Sequence, residues 1–275
     1  VSGPGARTLD LNCDLGESFG VYRYGADAEV MPLITSANIA CGAHAGDPRT
    51  MRESVDLAVR HGVAIGAHVG LADREGFGRR AIAVGAQDVH DLCLAQIGSL
   101  DAFVRAAGQR MAHVKPHGAL YVMVNDQPDL ARAVCAAVRS FDPGLALYAL
   151  PGSALAVAAR DAGLGVVEEF FADRPYRAGR VRMFGWTAEE LGTPDAAAGR
   201  AVQQLRTPAL AGVGTVCVHS DSPAAAERLR ALRVHLDREG WAVAAPRPSG
   251  NPTGPAPTPL SSPHVDEAFQ PVPSP

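Results

Sequence analysis

Four of the nine histidines, His44, His68, His117 and His219, occur in the runs CGAHAGD, IGAHVG, KPHG and VHSD. Each closes a short apolar segment and stands beside glycine or an acid, a setting suited to moving protons near neutral pH or binding a divalent cation. Carboxylates come from the first apolar segment, LDLNCDLGESFG. Strand geometry there puts Asp10, Asn12 and Asp14 on one face and Leu9, Leu11 and Cys13 on the other. Glu17 follows in a turn after Gly16. Asp14 and Glu17 are therefore expected to act as general base or cation ligand, whereas Asp10 and Asn12 suit the capping of buried backbone groups equally well. Of the 25 basic residues, Lys115 alone is lysine, which singles out a position needing a compact ammonium. His113, Lys115 and His117 share one face of their strand by the same alternation. Arg79 in ADREGFGRR and Arg174 in FADRPY are suited to holding a carboxylate or phosphate, although arginines in loops commonly just face solvent.

These side chains can meet only if the strands carrying them lie side by side. Short apolar segments near 8–14, 34–41, 63–68, 111–117, 145–150, 166–171, 214–219 and 241–245 alternate with stretches of helical period, the pattern of a parallel sheet wrapped by helices. In 88–108, Cys93, Ile97, Leu100, Val104 and Ala107 form one helical stripe. Pro48 opens a helix over 48–61, with Asp47 as its N-cap. Seven or eight such units fit one β/α barrel, in which strand carboxyl ends converge on one face; a doubly wound open sheet is the second choice. The barrel is expected over 8–245, after a loose segment at 1–7. From Pro246 to Pro275, 10 of 30 residues are proline, and this tail is expected to be disordered.

A formal net charge of −4 argues against a polynucleotide partner. No apolar run approaches the roughly 20 residues needed to cross a bilayer, and no signal-peptide pattern opens the chain, so a cytoplasmic location is expected. The five cysteines include no C-x-x-C pair and are expected to be reduced core residues. No P-loop, dinucleotide fingerprint, nucleophile elbow or H-E-x-x-H is present. A histidine and carboxylate mouth without a standard nucleophile favours hydrolysis by activated water.

The runs DLNCDLGESFG, ITSANIACGAHAGDP, GVAIGAHVG, GFGRR, VKPHGALY, FADRPY and VCVHSD resemble those of the lactam-utilisation family, from about residue 8 to residue 245. The resemblance implies an irregular seven-stranded β/α barrel of the glycoside hydrolase/deacetylase type. It also implies the ATP-dependent opening of 5-oxo-L-proline to L-glutamate with two partner subunits, B and C. On that basis the catalytic set is expected to be Asp14, Glu17, His44, Asp47, His68, Lys115 and His117. Substrate contacts are expected from Asn12, Asn38, Arg79, Asp173, Arg174, Tyr176, His219 and Asp221. Two alternatives remain open: a metal-dependent deacetylase-like hydrolase, its cation held by Asp14, His44 and His68 or His117, and a non-catalytic lactam-binding protein. The family's usual Asp-Gly-x-Leu-x-x-Arg reads Ala178 to Phe184 here, and Val69, Val122 and Ser220 also depart from its pattern, which leaves the exact lactam open.

Overall fold

The computed structural model describes residues 7–177 and 179–246. Their strands, in chain order, are β1 (Thr8–Leu15), β2 (Ser36–Ala40), β3 (Ala64–Val69), β4 (His113–Pro116), β5 (Ala146–Ala149), β6 (Gly165–Phe171), β7 (Tyr176–Arg177), β8 (Arg180–Val181), β9 (Val213–Cys217) and β10 (Ala242–Val243). The α-helices are α1 (Asp27–Val30), α2 (Pro48–His61), α3 (Ala86–Ala106), α4 (Gly118–Asp126), α5 (Pro128–Phe141), α6 (Ala154–Asp161), α7 (Ala188–Leu191), α8 (Pro194–Leu205) and α9 (Ala225–Arg238). Strands β1 to β6 and β9 run parallel in that order, and β9 pairs back to β1, closing a seven-stranded barrel. The register slips between Glu168 and Glu169, which makes the barrel irregular. β10 pairs in parallel with the start of β1, at Thr8 and Leu9, while β7 and β8 form a separate antiparallel hairpin.

All eight apolar segments picked out above are strands, and the closed ring excludes the open sheet. Helix α2 begins at Pro48 as expected, and Asp47 Oδ1 accepts from the Thr50 amide at 2.7 Å. The stripe on α3 is buried through Cys93, Ile97, Leu100 and Val104. The loose N-terminal reading fails at residue 7: the Arg7 carbonyl accepts from the Ala242 amide, and its guanidinium lies over the Trp241 ring. The expected tail, from residue 247 on, lies outside the described residues. No described helix is long and apolar enough to cross a membrane. All five cysteines are free and buried.

The apolar core lies outside the barrel wall. Leu9, Leu11, Ile39, Ile65, Val69, Leu147 and Val216 face outward into the helix layer, so the alternate residues of each strand must point into the lumen. Those residues are polar and hydrogen-bonded to one another, which is how a buried polar lumen avoids a desolvation penalty. Asp10 accepts from Thr35, Ser36, Tyr148 and Thr215 at 2.6 to 2.9 Å. It is a cross-strand tie between side chains rather than a backbone cap. Above it, His113 stacks on Tyr148 and shares a 2.7 Å hydrogen bond with Asn38 Oδ1. Gly66 pairs with His113 across β3 and β4, and a Cβ there would run into the imidazole. Gly66→Ala should therefore destabilise the fold by about 1–3 kcal/mol, read from the midpoint of denaturant unfolding.

Candidate active site

The mouth is assembled from strand ends and the loops that follow them. β1 delivers Asp14 and β3 delivers His68, while β4 delivers Lys115 with His117 just after it. His44 follows β2, and His219 follows β9. Asp14, Glu17, His44, His68, Lys115, His117 and His219 are all buried, and they converge as expected.

Two groups define the chemistry. The first is built around the single lysine, which is 2% exposed. Its Nζ lies 3.1 Å from Asp14 Oδ1, 2.8 Å from Glu169 Oε1, 3.1 Å from Asn12 Oδ1 and 3.2 Å from Cys217 Sγ. Burial alone would lower the ammonium's pKa, but the adjacent carboxylates outweigh it and hold Lys115 well above its usual range. Burial would likewise raise Asp14; His68, Lys115 and His219 together pull it well below the usual carboxylate range. This corner thus keeps a fixed cation beside a fixed anion.

The second group has too few protons for its contacts. His68 Nδ1 lies 3.0 Å from the Lys115 carbonyl and His117 Nε2 lies 2.8 Å from the Phe77 carbonyl. A carbonyl only accepts, so these nitrogens carry the protons. The remaining nitrogens, His68 Nε2 and His117 Nδ1, then face each other at 2.9 Å with a lone pair on each if both rings are neutral. His44 stacks on His117 at 3.8 Å with both nitrogens unpartnered, and Glu17 Oε1 is unpartnered beside them, 3.8 Å from His44 Nε2 and 3.7 Å from His117 Nδ1. Burial, then neighbouring imidazoles, hold His44 and His117 well below the ordinary histidine range, while burial and the Asp14 charge push Glu17 up. Glu17, His44, His68 and His117 bring one ligand atom each within 4.8 Å of one another, and Asp14, Cys217 and His219 do the same. Three of the four expected cation ligands, His44, His68 and His117, stand together and are joined by Glu17, while the fourth, Asp14, lies 3.2 Å from His68 Nε2 and also groups with Cys217 and His219. Phe77 holds φ of 55°, a strained conformation for a bulky residue, in the loop that offers His117 its carbonyl.

A third arrangement aims His219. Asp173 accepts from the His219 backbone amide at 2.8 Å and lies 3.0 Å from its Nδ1, which leaves Nε2 pointing at Asp14 Oδ2, 3.5 Å away. Arg174 and Ser222 fix the Asp173 carboxylate in turn. Arg79 bonds Asp221 at 2.6 Å at the rim, and the Tyr24 hydroxyl donates to the same carboxylate at 3.0 Å.

Three expected roles change. Asp47 uses its carboxylate on the Thr50 and Gly20 amides, capping α2 and pinning the loop after β1, so it is not in the catalytic cluster. Tyr176 accepts from the Phe171 amide, stacks on Phe170 and lines the cavity beside the mouth. Asn12 and Asn38 are 0% exposed and lie beneath the mouth. Their amides orient Glu169, Asp14 and Lys115 rather than a substrate. Sequence reasoning also missed Glu169 and Tyr121, whose hydroxyl donates to Glu169 Oε2 at 3.0 Å. The signal for Glu169 was present: in GVVEEFF, alternation puts Glu169 and Phe171 on one face and Glu168 on the other.

His113, which reads from the sequence as an ordinary strand residue, is buried in the lumen, and desolvation followed by the Lys115 charge lowers its pKa to about 3. The unfolded chain takes up this proton near pH 6.5 and the folded chain does not. Stability should therefore decline as pH falls from about 6.5 toward 3, and His113→Gln should flatten that slope in denaturant unfolding followed across pH.

A closed parallel barrel whose mouth joins a buried ammonium and carboxylate pair to an imidazole cluster is the framework of a hydrolytic barrel enzyme. The comparisons agree on its lineage. The LamB/YcsF family model matches residues 9–250. A relative from Symbiobacterium thermophilum, named as the A subunit of 5-oxoprolinase, is 48% identical over 260 residues, covering 90% of this chain and 98% of the relative. The crystal structure of a lactam utilization protein from Thermus thermophilus superposes with a TM-score of 0.79 at 44% identity, covering 86% of this chain and 99% of that one. The catalytic domain of a Eubacterium rectale peptidoglycan N-acetylglucosamine deacetylase shares the fold alone, with a TM-score of 0.51 at 9% identity, covering 91% of this chain and 93% of the other. The chain belongs to the LamB/YcsF family.

Proposed function

We propose that this chain is the lactam-opening subunit of an ATP-dependent 5-oxoprolinase, converting 5-oxo-L-proline to L-glutamate with partner subunits B and C. The observation that carries the reading is the Lys115 and Asp14 pair, 3.1 Å apart and facing His68 and His219 in one buried mouth. A five-membered lactam is an unreactive amide, and transfer of the ATP γ-phosphoryl group to its carbonyl oxygen makes the carbon open to water. One water adds, the C–N bond breaks as nitrogen gains a proton, and a second water releases the phosphoryl group as inorganic phosphate.

In this scheme Asp14 Oδ2, within 3.2 Å of His68 Nε2, takes the proton of the attacking water. Lys115 steadies the negative charge that develops on oxygen. His219, its Nδ1 proton held by Asp173, passes a proton from Nε2 to the leaving nitrogen. Arg79 at the rim holds the carboxylate or phosphate of the substrate, with the buried Arg174 adding positive charge to the mouth lining from behind Asp173. The unpartnered atoms of Glu17 and His44, with His68 and His117 each bringing one ring nitrogen beside them, fit a divalent cation, and imidazole with carboxylate is a donor set that suits zinc or a similar metal. When bound there, such a cation would supply a Lewis acid beside the reacting carbonyl. The free, buried cysteines suit a reducing cytoplasm.

The grouping of Glu17, His44, His68 and His117 also favours a second reading, a metal-dependent amide hydrolase that needs no ATP. Reconstitution with candidate partner subunits and a glutamate-release assay separates the two. Release that depends on both ATP and partners is the expected result. ATP-independent deacylation by the isolated chain, together with a stoichiometric cation by elemental analysis, would sink the first reading in favour of the second.

A further inference from the structure

The mouth among Asp14, His68, Lys115, His117 and His219 leaves about 20 Å³, room for roughly one water. Beside it lies a cavity of about 860 Å³, at the upper end of the size usual for small-molecule sites. The two spaces share Tyr121 and Met183 as lining. Tyr121 is the fixed part of this partition, since its hydroxyl is held by Glu169 and its ring packs edge-on against Phe171 at 5.7 Å. Met183 is the part that can give way, because it is unbranched, only half-buried and follows the β7–β8 hairpin. A lactam ring set against Asp14 and Lys115 needs more room than one water, and Met183 is the shared lining residue whose displacement would provide it.

We propose that this cavity is a second compartment of the same site, which takes an uncharged, apolar substituent of a cyclic amide whose ring lies in the mouth. The inference rests on the hydrolytic reading of the mouth and extends its substrate class. Leu150, Phe170, Val181 and Leu210 line the cavity alongside Tyr121 and Met183. Its charged lining consists of Glu169, Asp126 and Arg180, and Arg180 already pairs with Asp126 at 3.4 Å. Each of these charges is already paired, Glu169 with Lys115 at 2.8 Å and Asp126 with Arg180, so the lining offers a polyphosphate no unengaged cation and accepts apolar surface. Of the 178–184 run that departs from the family pattern, Val181 and Met183 line this cavity and Met183 and Phe184 line the mouth.

The test is calorimetric binding of two probes to the full chain, 2-pyrrolidone and a benzyl-substituted 2-pyrrolidone. The benzyl compound should bind at least tenfold more tightly. Ala209→Trp, an exposed position on the cavity lining, should remove that advantage and leave 2-pyrrolidone binding unchanged; Val122→Phe fills the same space from α4 as an independent variant. Equal affinity of the two probes for the wild type, or an advantage that survives both variants, overturns the proposal. Glutamate release by the reconstituted wild type reads the mouth separately: selective benzyl binding lost in the variants, without any release, supports the compartment while removing the 5-oxoprolinase reading.

Discussion

Lys115→Met should abolish glutamate release, lowering kcat by about 10³-fold or more, the scale seen when a preorganised charge at a developing oxyanion is removed. The ammonium touches Asp14, Glu169 and Asn12 at 2.8 to 3.1 Å, so no neighbouring group can take its place. Methionine matches its length but leaves two carboxylates facing each other in a buried site, which costs about 3–5 kcal/mol of stability. Activity loss must therefore be separated from unfolding. The double variant Lys115→Met with Glu169→Gln removes one positive and one negative charge, and should regain much of the lost stability in denaturant unfolding while remaining inactive. Lys115→Arg should fail to rescue, because a planar guanidinium does not fit a pocket shaped to a compact ammonium. Wild-type turnover in Lys115→Met would remove the lysine from the scheme.

Asp14→Asn should be nearly as damaging, with a loss of about 10²- to 10⁴-fold in kcat, the contribution typical of a positioned general base. The substitution is mild structurally. An amide oxygen can still accept from Asn38 and Lys115, which lie 2.8 and 3.1 Å from Asp14 Oδ1. The other end becomes an NH₂ group facing His68 and His219, where a proton acceptor is required. Denaturant unfolding at neutral pH should show a loss of stability smaller than that of Lys115→Met, because the Asp14 ion pair is lost while Glu169 still faces the ammonium, and single-turnover measurement with activated substrate should place the defect in the water-addition step. An unchanged single-turnover rate would move the base elsewhere, with Glu17 the next candidate.

Much of the barrel was legible because each strand obeys a period of two and each major helix carries its own stripe. Asp14 and the four mouth histidines could be found for the same reason: they sit at the ends of apolar segments, and a parallel barrel gathers those ends. The residues misread are those whose role depends on a distant partner. Asp47 reads equally as a cap and as an acid until the Gly20 amide is seen to occupy its second oxygen. Asn12 and Asn38 look like substrate contacts until the lumen shows them bonded to each other at 2.8 Å. Glu169 comes from a strand far along the chain, and nothing local says that it meets Lys115. Likewise, the grouping of Glu17 with His44, His68 and His117 depends on how three loops fold over the end of β3, which spacing along the chain does not encode.

The solitary lysine has a practical consequence. Apart from the α-amino group, the chain carries its one primary amine inside the barrel, where it is 2% exposed. Acylating reagents and amine-directed crosslinkers consequently find no side-chain target on the folded surface. Modification at this position records opening of the barrel itself, which makes Lys115 a built-in reporter of unfolding for labelling and mass spectrometry.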